Sequence, residues 1–509
     1  MLTKSNDHNP NYLAKVVSLK GLKKHSNADR LQVVDIDFQT VITGMDAEDG
    51  DICVFFPLES KISQDFLSAT NSFRDKKSNA DDTKQGFFDD NCRVRAMKLR
   101  GEKSMGYLVP VDQVILWSGY DDAGGTIGQE FDTVNGKLIV EKYQIKRKVG
   151  PQARQGKKPK VSRLVDGQIH LHADTENLRR NVHKINPEDT ISITYKTHGT
   201  SWWVSNVLVK RELSNVEKVI KWLGLPVQEL EYDLVYGSRK VVKNSSMNDP
   251  KQKDHFFGYD LWEKIKDEVG DKIPKGYTLY GEMLGYDHNG GYIQKGFDYG
   301  CKPVSASEMT PSQYRKAWKD LYSDQDREDI LRYKFNSFHD RVIKKLDYLK
   351  GVCSDLGIRE EMIYPFITRR DERPQHKLEV YRITQTTPDG LVTELSYPDI
   401  KEFCDVRDLT PPHLFYHGRS VDWLMENIDT LRIPEISEEN WGENLIKNLE
   451  QEYNEKDCFM CDNKVPEEGI VVRKESLFNF EAYKLKSFNF LEQETKELDS
   501  GESDIESDN

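Results

Sequence analysis

Ile191-Ser192-Ile193-Thr194-Tyr195-Lys196-Thr197-His198-Gly199 is the stretch from which the rest of the chain is read. Its first five residues alternate in the manner of a half-buried strand. The strand ends on a lysine and the chain then turns at a glycine, which presents an amine at the mouth of a pocket. A neutral lysine amine is a competent nucleophile toward phosphorus when positive charge, a metal or desolvation pulls its pKa down. K-x-[DH]-G also recurs by chance in chains of this length, so its context carries the reading.

That context comes in order: Tyr236-Gly237-Ser238-Arg239, then Leu279-Tyr280-Gly281-Glu282, then Val380-Tyr381-Arg382-Ile383. Glu468-Gly469-Ile470-Val471-Val472-Arg473 and Tyr483-Lys484-Leu485-Lys486 follow. Glu282 and Glu468 can meet only through the fold. If they meet, they make a hard-oxygen site suited to Mg²⁺ or Mn²⁺. Glu468 opens an apolar run, and a glutamate at the end of a buried strand needs a cation or hydrogen bonds. Lys484 and Lys486 flank Leu485, so on a strand both point to one face and call for an anion between them. Arg239 is a surface arginine or, in its strand-to-turn setting, a planar partner for phosphate or ribose. Tyr381 lies in a β-branched run, where a ring is either core or a stacking surface.

In this order and spacing the six groups resemble the nucleotidyltransferase motifs of covalent ligases and capping enzymes. With His198 in K-x-H-G and Thr200-Ser201 behind it, the resemblance is to ATP-dependent RNA ligases of phage, protist and kinetoplastid type. It covers roughly residues 165–490. The resemblance implies that Lys196 attacks the α-phosphorus of ATP, expels pyrophosphate and holds AMP as a lysyl phosphoramidate. His198 stands where other members carry an aspartate, and with Gly199 it would hold the loop or bond the nucleotide. Many members carry an acid just before the lysine; Tyr195 stands there, so backbone groups or Thr194 would read adenine. Arg239 would contact the ribose or the RNA 5′-phosphate, and Tyr381 would stack on adenine. Glu282 and Glu468 would hold Mg²⁺ or Mn²⁺ over the α-phosphate, and Arg473 belongs with the nucleotide contacts. Lys484 and Lys486 would neutralise charge as pyrophosphate leaves. The implied activity joins a 3′-hydroxyl to a 5′-phosphate of RNA through lysyl-AMP and RNA-adenylate, as in RNA repair.

DNA ligases and capping guanylyltransferases share this chemistry but place an OB domain after the last motif. Here 23 residues follow Lys486, and a barrel-like segment lies in front. A non-catalytic RNA-binding protein with a decayed core would not be expected to keep Lys196, Glu282, Glu468, Lys484 and Lys486 together.

The segment from Leu13 to about Leu116 repeats short alternating runs, such as Leu31-Gln32-Val33-Val34-Asp35-Ile36, that suggest a small all-β barrel. His25-Ser26-Asn27-Ala28-Asp29-Arg30-Leu31 resembles the H-x-N-A-D-x-L segment of OB-fold tRNA-binding modules; read from the residues alone it is a turn before a strand. The expected fold class is α+β: an N-terminal OB-like barrel, then an adenylyltransferase domain of antiparallel sheets flanked by helices. The expected divisions are a flexible start at 1–12, an RNA-binding barrel at 13–140 with a mobile polar excursion at 67–91, and a basic linker at 141–165. The nucleotidyltransferase domain with helical insertions runs over 166–490, its stretch 311–356 helical and its large insertion 386–455 mixed, and an acidic disordered tail over 491–509.

Of the 509 residues, 37% are hydrophobic and 31% charged, which bounds the chain to a soluble globular protein of two or three domains. No apolar run reaches membrane-spanning length and no signal peptide is apparent. Seven scattered cysteines fit reduced thiols in a cytoplasm, a host's cytoplasm for a viral chain. Cys458-Phe459-Met460-Cys461 has the spacing of half a zinc site but lacks a second pair, which favours ordinary buried thiols. The net charge of −13 is misleading about a nucleic-acid partner. Residues 491–509 hold eight carboxylates, whereas 142–163 hold nine Lys or Arg and no acid, a strip suited to tracking phosphates. A monomer is the favoured state.

Overall fold

In the computed structural model, which describes residues 1–119, 125–144, 163–172, 174–243, 259–303, 373–427, 437 and 440–499, the short alternating runs become antiparallel strands. The N-terminal unit contains β1 (Ala14–Ser18), β2 (Leu31–Ile36), β3 (Gln39–Gly44), β4 (Ile52–Pro57) and β5 (Gly106–Pro110). β4 lies between β5 and β1, and Glu130–Phe131 pairs with the other edge of β1. Successive residues of β4 face opposite ways, so Phe56 fills one core with Val16, Ile62 and Phe66. Phe55 fills a second with Val17, Val34 and Val41.

Two expectations for this unit need correction. Residues 1–12 are not a loose start: Leu2 is buried, and Leu2–Thr3 pairs with Thr133–Val134. The Ser5 amide also donates to Asp132 Oδ1 at 2.7 Å. The polar excursion 67–91 is likewise folded, around Asn79. Its amide donates to the carbonyls of Phe73 and Lys84, its Oδ1 accepts from the Phe73 amide, and Phe73 and Phe88 enter the core. The H-x-N segment is a braced turn, with His25 Nε2 2.9 Å from the Leu99 carbonyl and Asn27 Nδ2 3.1 Å from that of Arg100.

The C-terminal unit has two sheets. β6 (Thr190–Lys196) runs directly into β7 (Thr200–Lys210), and the two strands belong to different sheets. Next come β8 (Leu230–Ser238), α1 (Leu261–Val269), β9 (Tyr277–Gly285) and β10 (His376–Thr386). They are followed by α2 (Tyr397–Arg407), β11 (Leu414–Arg419), α3 (Ser420–Asn427), α4 (Trp441–Tyr453), β12 (Gly469–Lys474) and β13 (Glu481–Lys486). Among the described residues, one sheet has the order Glu176–Asn177, β13, β12, β6, β11. The other has the order Val241–Lys243, β8, β7, β9, β10, Val392–Glu394. Lys196-Thr197-His198-Gly199 is therefore the crossing from one sheet to the other.

The described residues of the segment 386–455 are built into this core. β11 is an edge strand beside β6. α2 starts on a capping box, with Ser396 Oγ accepting from the Asp399 amide and Pro398 in its first turn. Its Ile400, Phe403 and Cys404 pack with Val380 and Ile383 of β10. Trp423 of α3 and Leu445 and Leu449 of α4 cover the first sheet.

The tail expectation is corrected too. Phe488–Asp499 is a helix, α5. Phe488 and Leu491 pack on Ala96 and Met105 of the N-terminal unit. Arg93, fully buried, closes the seam with an ion pair of 2.9 Å to Asp499. The basic strip from 145 to 162, the helical stretch 311–356 and residues 500–509 lie outside the described residues. Among the described residues no helix is long and apolar enough to cross a membrane.

Candidate active site

Lys196 is the last residue of β6, paired with Gly469 of β12. The crossing behind it must lie flat on β9, and Gly199 allows this: a Cβ there would sit 2.3 Å from the Met283 carbonyl oxygen and 2.8 Å from Glu282 Cγ. Gly469 plays a similar part, with φ of +135° and the Leu485 carbonyl pressed against it, so that Glu468 turns in at the start of β12.

A cavity between the sheets is lined by Thr194, Lys196, Arg239, Glu282, Tyr381, Arg473, Lys484 and Lys486, eight of the residues singled out in the sequence. Glu468 lies next to this lining. Its Oε1 is 2.8 Å from Lys196 Nζ and 3.3 Å from Lys486 Nζ, and only 2% of the residue is exposed. His198 lies beneath the loop rather than in the lining. Its ring meets Phe297 and Phe490 edge-on, its Nδ1 is 3.9 Å from Glu468 Oε2, and its backbone N–H donates to Tyr299 Oη at 2.6 Å. That setting holds the loop and Glu468 in place.

Lys484 and Lys486 flank the buried Leu485 and both reach the cavity. Lys486 is also held by Glu494 of α5 at 3.1 Å. Arg239 is paired with Asp174 at 2.8 Å and lines both this cavity and a second one shared with Lys142 and Lys240. Arg473 is braced by the Leu395 carbonyl and by Glu475. Tyr381 sits where the register of β9 and β10 slips, which turns its ring toward the cavity beside His172.

Sequence reasoning missed Glu379. It is the register partner of Glu282 across β9 and β10, so both carboxylates stand on one face. Both are buried and both line the cavity. Ser201 Oγ donates to Glu282 and Thr197 Oγ1 donates to Glu379, each at 3.1 Å. Burial pushes the Glu379 carboxyl up to about 7, against the pull of Thr197 and Lys196. Two buried acids side by side are tolerated when one holds a proton or a cation lies between them. This oxygen set fits Mg²⁺ or Mn²⁺. Glu468, which the sequence paired with Glu282, is engaged by two ammonium groups instead. His172 and Phe480, which complete the aromatic wall, also carried no signal in the sequence. Cys458 and Cys461 are free thiols, packed against Tyr195 and Tyr299.

A family model described as an OB-fold domain matches residues 13–111, so the N-terminal unit carries an OB fold. No curated protein matches the sequence. Among solved structures the chain is similar to a Naegleria gruberi RNA ligase variant with ATP and Mn, at 10% identity and a TM-score of 0.48, over 96% of this chain and 99% of that one. A variant with AMP and Mn gives 12% identity and 0.46 over 94% and 98%. An apo variant gives 11% and 0.49 over 94% and 98%.

Proposed function

We propose that this chain is an ATP-dependent RNA ligase that joins a 3′-hydroxyl to a 5′-phosphate, acts as a monomer and serves RNA repair in a cytoplasm. The observation that carries the reading is Lys196. It ends a strand at the seam of two sheets, 2.8 Å from a buried carboxylate, in one cavity with Lys484, Lys486, Glu282 and Tyr381.

In the first step Lys196 Nζ bonds to the α-phosphorus of ATP, the bond to the bridging oxygen breaks, and pyrophosphate leaves. The ammonium must first lose a proton, and Glu468 Oε1 is within reach to take it. Lys484 and Lys486 stabilise the charge that grows on the leaving group. Tyr381 stacks on adenine, a contact worth roughly 1–3 kcal/mol, and Thr194 reads the base edge. A divalent cation would neutralise the α-phosphate, held by Glu282 with Glu379 opposite it and Glu468 nearby. AMP then passes from Lys196 to the 5′-phosphate of one RNA strand, and the 3′-hydroxyl of the other displaces it. Arg239, at the junction of two cavities, suits the 5′-phosphate, and the OB fold supplies a groove for single strands.

Incubation with α-labelled ATP or GTP and Mg²⁺ or Mn²⁺, followed by 5′-phosphorylated RNA or DNA, tests the proposal. Protein label from ATP that survives denaturing electrophoresis but is released by hot acid, as a phosphoramidate is, and sealing of RNA are expected. Label from GTP would point to capping chemistry, sealing of DNA alone to a DNA ligase, and no label to a binding protein without catalysis.

A further inference from the structure

A second cluster lies on the strands that carry Glu282 and Glu379, three residues further along the pair. His376 opens β10 opposite Gly285, His288 follows β9 on a turn, and Glu268 comes from α1. Three separate elements thus bring two imidazoles and a carboxylate together, each offering one donor atom, all within 4.8 Å of one another. His376 Nε2 is 2.8 Å from Glu268 Oε2, and the two rings lie 5.1 Å apart. The turn is built rather than loose. Asp287 Oδ1 accepts from the amides of Asn289 and Gly291, and the His288 amide donates to Tyr259 Oη at 2.8 Å. That hydroxyl also lies 3.3 Å from His288 Nδ1, which fixes the ring and turns Nε2 outward.

A half-exposed His–Glu pair contributes little by itself, about 0–1 kcal/mol. It does not account for the second imidazole, which a hydrogen-bonded turn of its own brings beside it. Two imidazoles and one carboxylate are instead the ligand set of a three-residue zinc site with a fourth position for water. We infer that Glu268, His288 and His376 bind a borderline transition-metal ion, Zn²⁺ above all. Nitrogen donors select it against the Mg²⁺ or Mn²⁺ of an oxygen site. Bonds of about 2.0–2.2 Å to a tetrahedral ion would replace the direct His376–Glu268 hydrogen bond and pin α1 to the end of β9 and β10. The ion would staple the sheet that carries the active-site carboxylates without entering the chemistry.

The test uses the full chain, stripped of metal by chelator and then titrated with Zn²⁺ by calorimetry and with Co²⁺ by absorption. One tight equivalent is expected, with visible bands of a tetrahedral nitrogen–oxygen cobalt site and no thiolate charge-transfer band. His376→Ala should weaken binding on the order of 100-fold or more. His288→Gln, a substitution on a turn, should do the same, with unchanged circular dichroism guarding against a folding defect. Cys458→Ser should leave binding intact. Absence of a tight equivalent, binding that survives both histidine substitutions, or a thiolate band that disappears in Cys458→Ser would each overturn the inference.

Discussion

The two sheets of the C-terminal unit bring opposite charges to one cleft. The five-stranded sheet supplies cations: Lys196 from β6, Arg473 from β12, Lys484 and Lys486 from β13. The six-stranded sheet supplies the facing carboxylates Glu282 and Glu379, with Tyr381 beside them. Arg239, which follows β8, is an exception on the six-stranded side, where Asp174 pairs with it. Glu468 is the exception on the other. It sits on the cationic side and holds two of its ammonium groups. The difference separates two tasks that a nucleotide–metal complex imposes, since phosphates need cations and a divalent ion needs oxygens. Glu468 balances two of the ammonium groups, and burial pushes the Glu379 carboxyl up to about 7.

The sharpest way to break this comparison is Lys196→Ala. Covalent AMP should disappear, because no other cation on that sheet ends a strand at the crossing. The variant should still seal RNA that is already adenylated, since that step needs no lysine nucleophile. Label persisting on the variant would move the nucleophile elsewhere.

Next in size are the remaining cations and the carboxylates. Lys484→Ala and Lys486→Ala should each slow adenylation by about 10²–10³-fold at saturating metal, the scale of losing one preorganised contact to developing charge. Glu282→Gln and Glu379→Gln should act differently, shifting the Mn²⁺ concentration needed for half-maximal rate upward by about 10–100-fold. Manganese-binding titrations of the ATP-free protein give a readout apart from activity. Should Glu379→Gln titrate like the wild type while Glu468→Gln does not, the metal belongs to the cationic side and the division between sheets fails.

A smaller effect tests how Lys486 is positioned. Glu494 of α5 holds it from behind, 3.1 Å away. Glu494→Gln should slow adenylation by roughly 10-fold or less, because Glu468 still orients the amine. The loss should show in the maximal rate and not in the metal requirement.

Local pattern made the cationic side legible. Alternation places Lys484 and Lys486 on one face, and an apolar-polar strand ending in Lys196 reads directly from the residues. Glu379 was not legible, because its meaning depends on which strand lies opposite and in what register. Lys377-Leu378-Glu379-Val380-Tyr381 by itself does not say that Glu282 is its neighbour. α5 was hidden by composition: the few apolar residues that dock it, Phe488, Phe490 and Leu491, sit just before an acid-rich run whose Glu494 and Asp499 meet Lys486 and Arg93 only through the fold. β11 was hidden inside a mixed segment, since an edge strand buries little and its residues are half polar. The OB unit was legible as repeated short strands, but Leu2–Thr3 was too short to show any period.

The smallest effect lies outside both sheets, at the seam where α5 meets the OB unit. Burial pushes the Glu59 carboxyl up from 4.5 to about 7, helped by the nearby Glu494 and opposed by Arg93. Between those values the folded chain keeps a proton that the unfolded chain has lost. Stability therefore falls as pH rises from about 4.5 to 7 and is flat on either side, so far as this group is concerned. The full swing is on the order of 3 kcal/mol, with the opposing pull of Arg93, 3.7 Å away, already included. Glu59→Gln removes the titration. Urea unfolding at pH 5 and pH 8 should show a smaller loss of stability in the variant than in the wild type. Equal losses would mean that Glu59 ionises at the seam as freely as in water. The adenylation rate of the variant should stay within about two-fold of wild type, because neither sheet uses Glu59 and Lys486, whose charge also acts on it, keeps both Glu468 and Glu494.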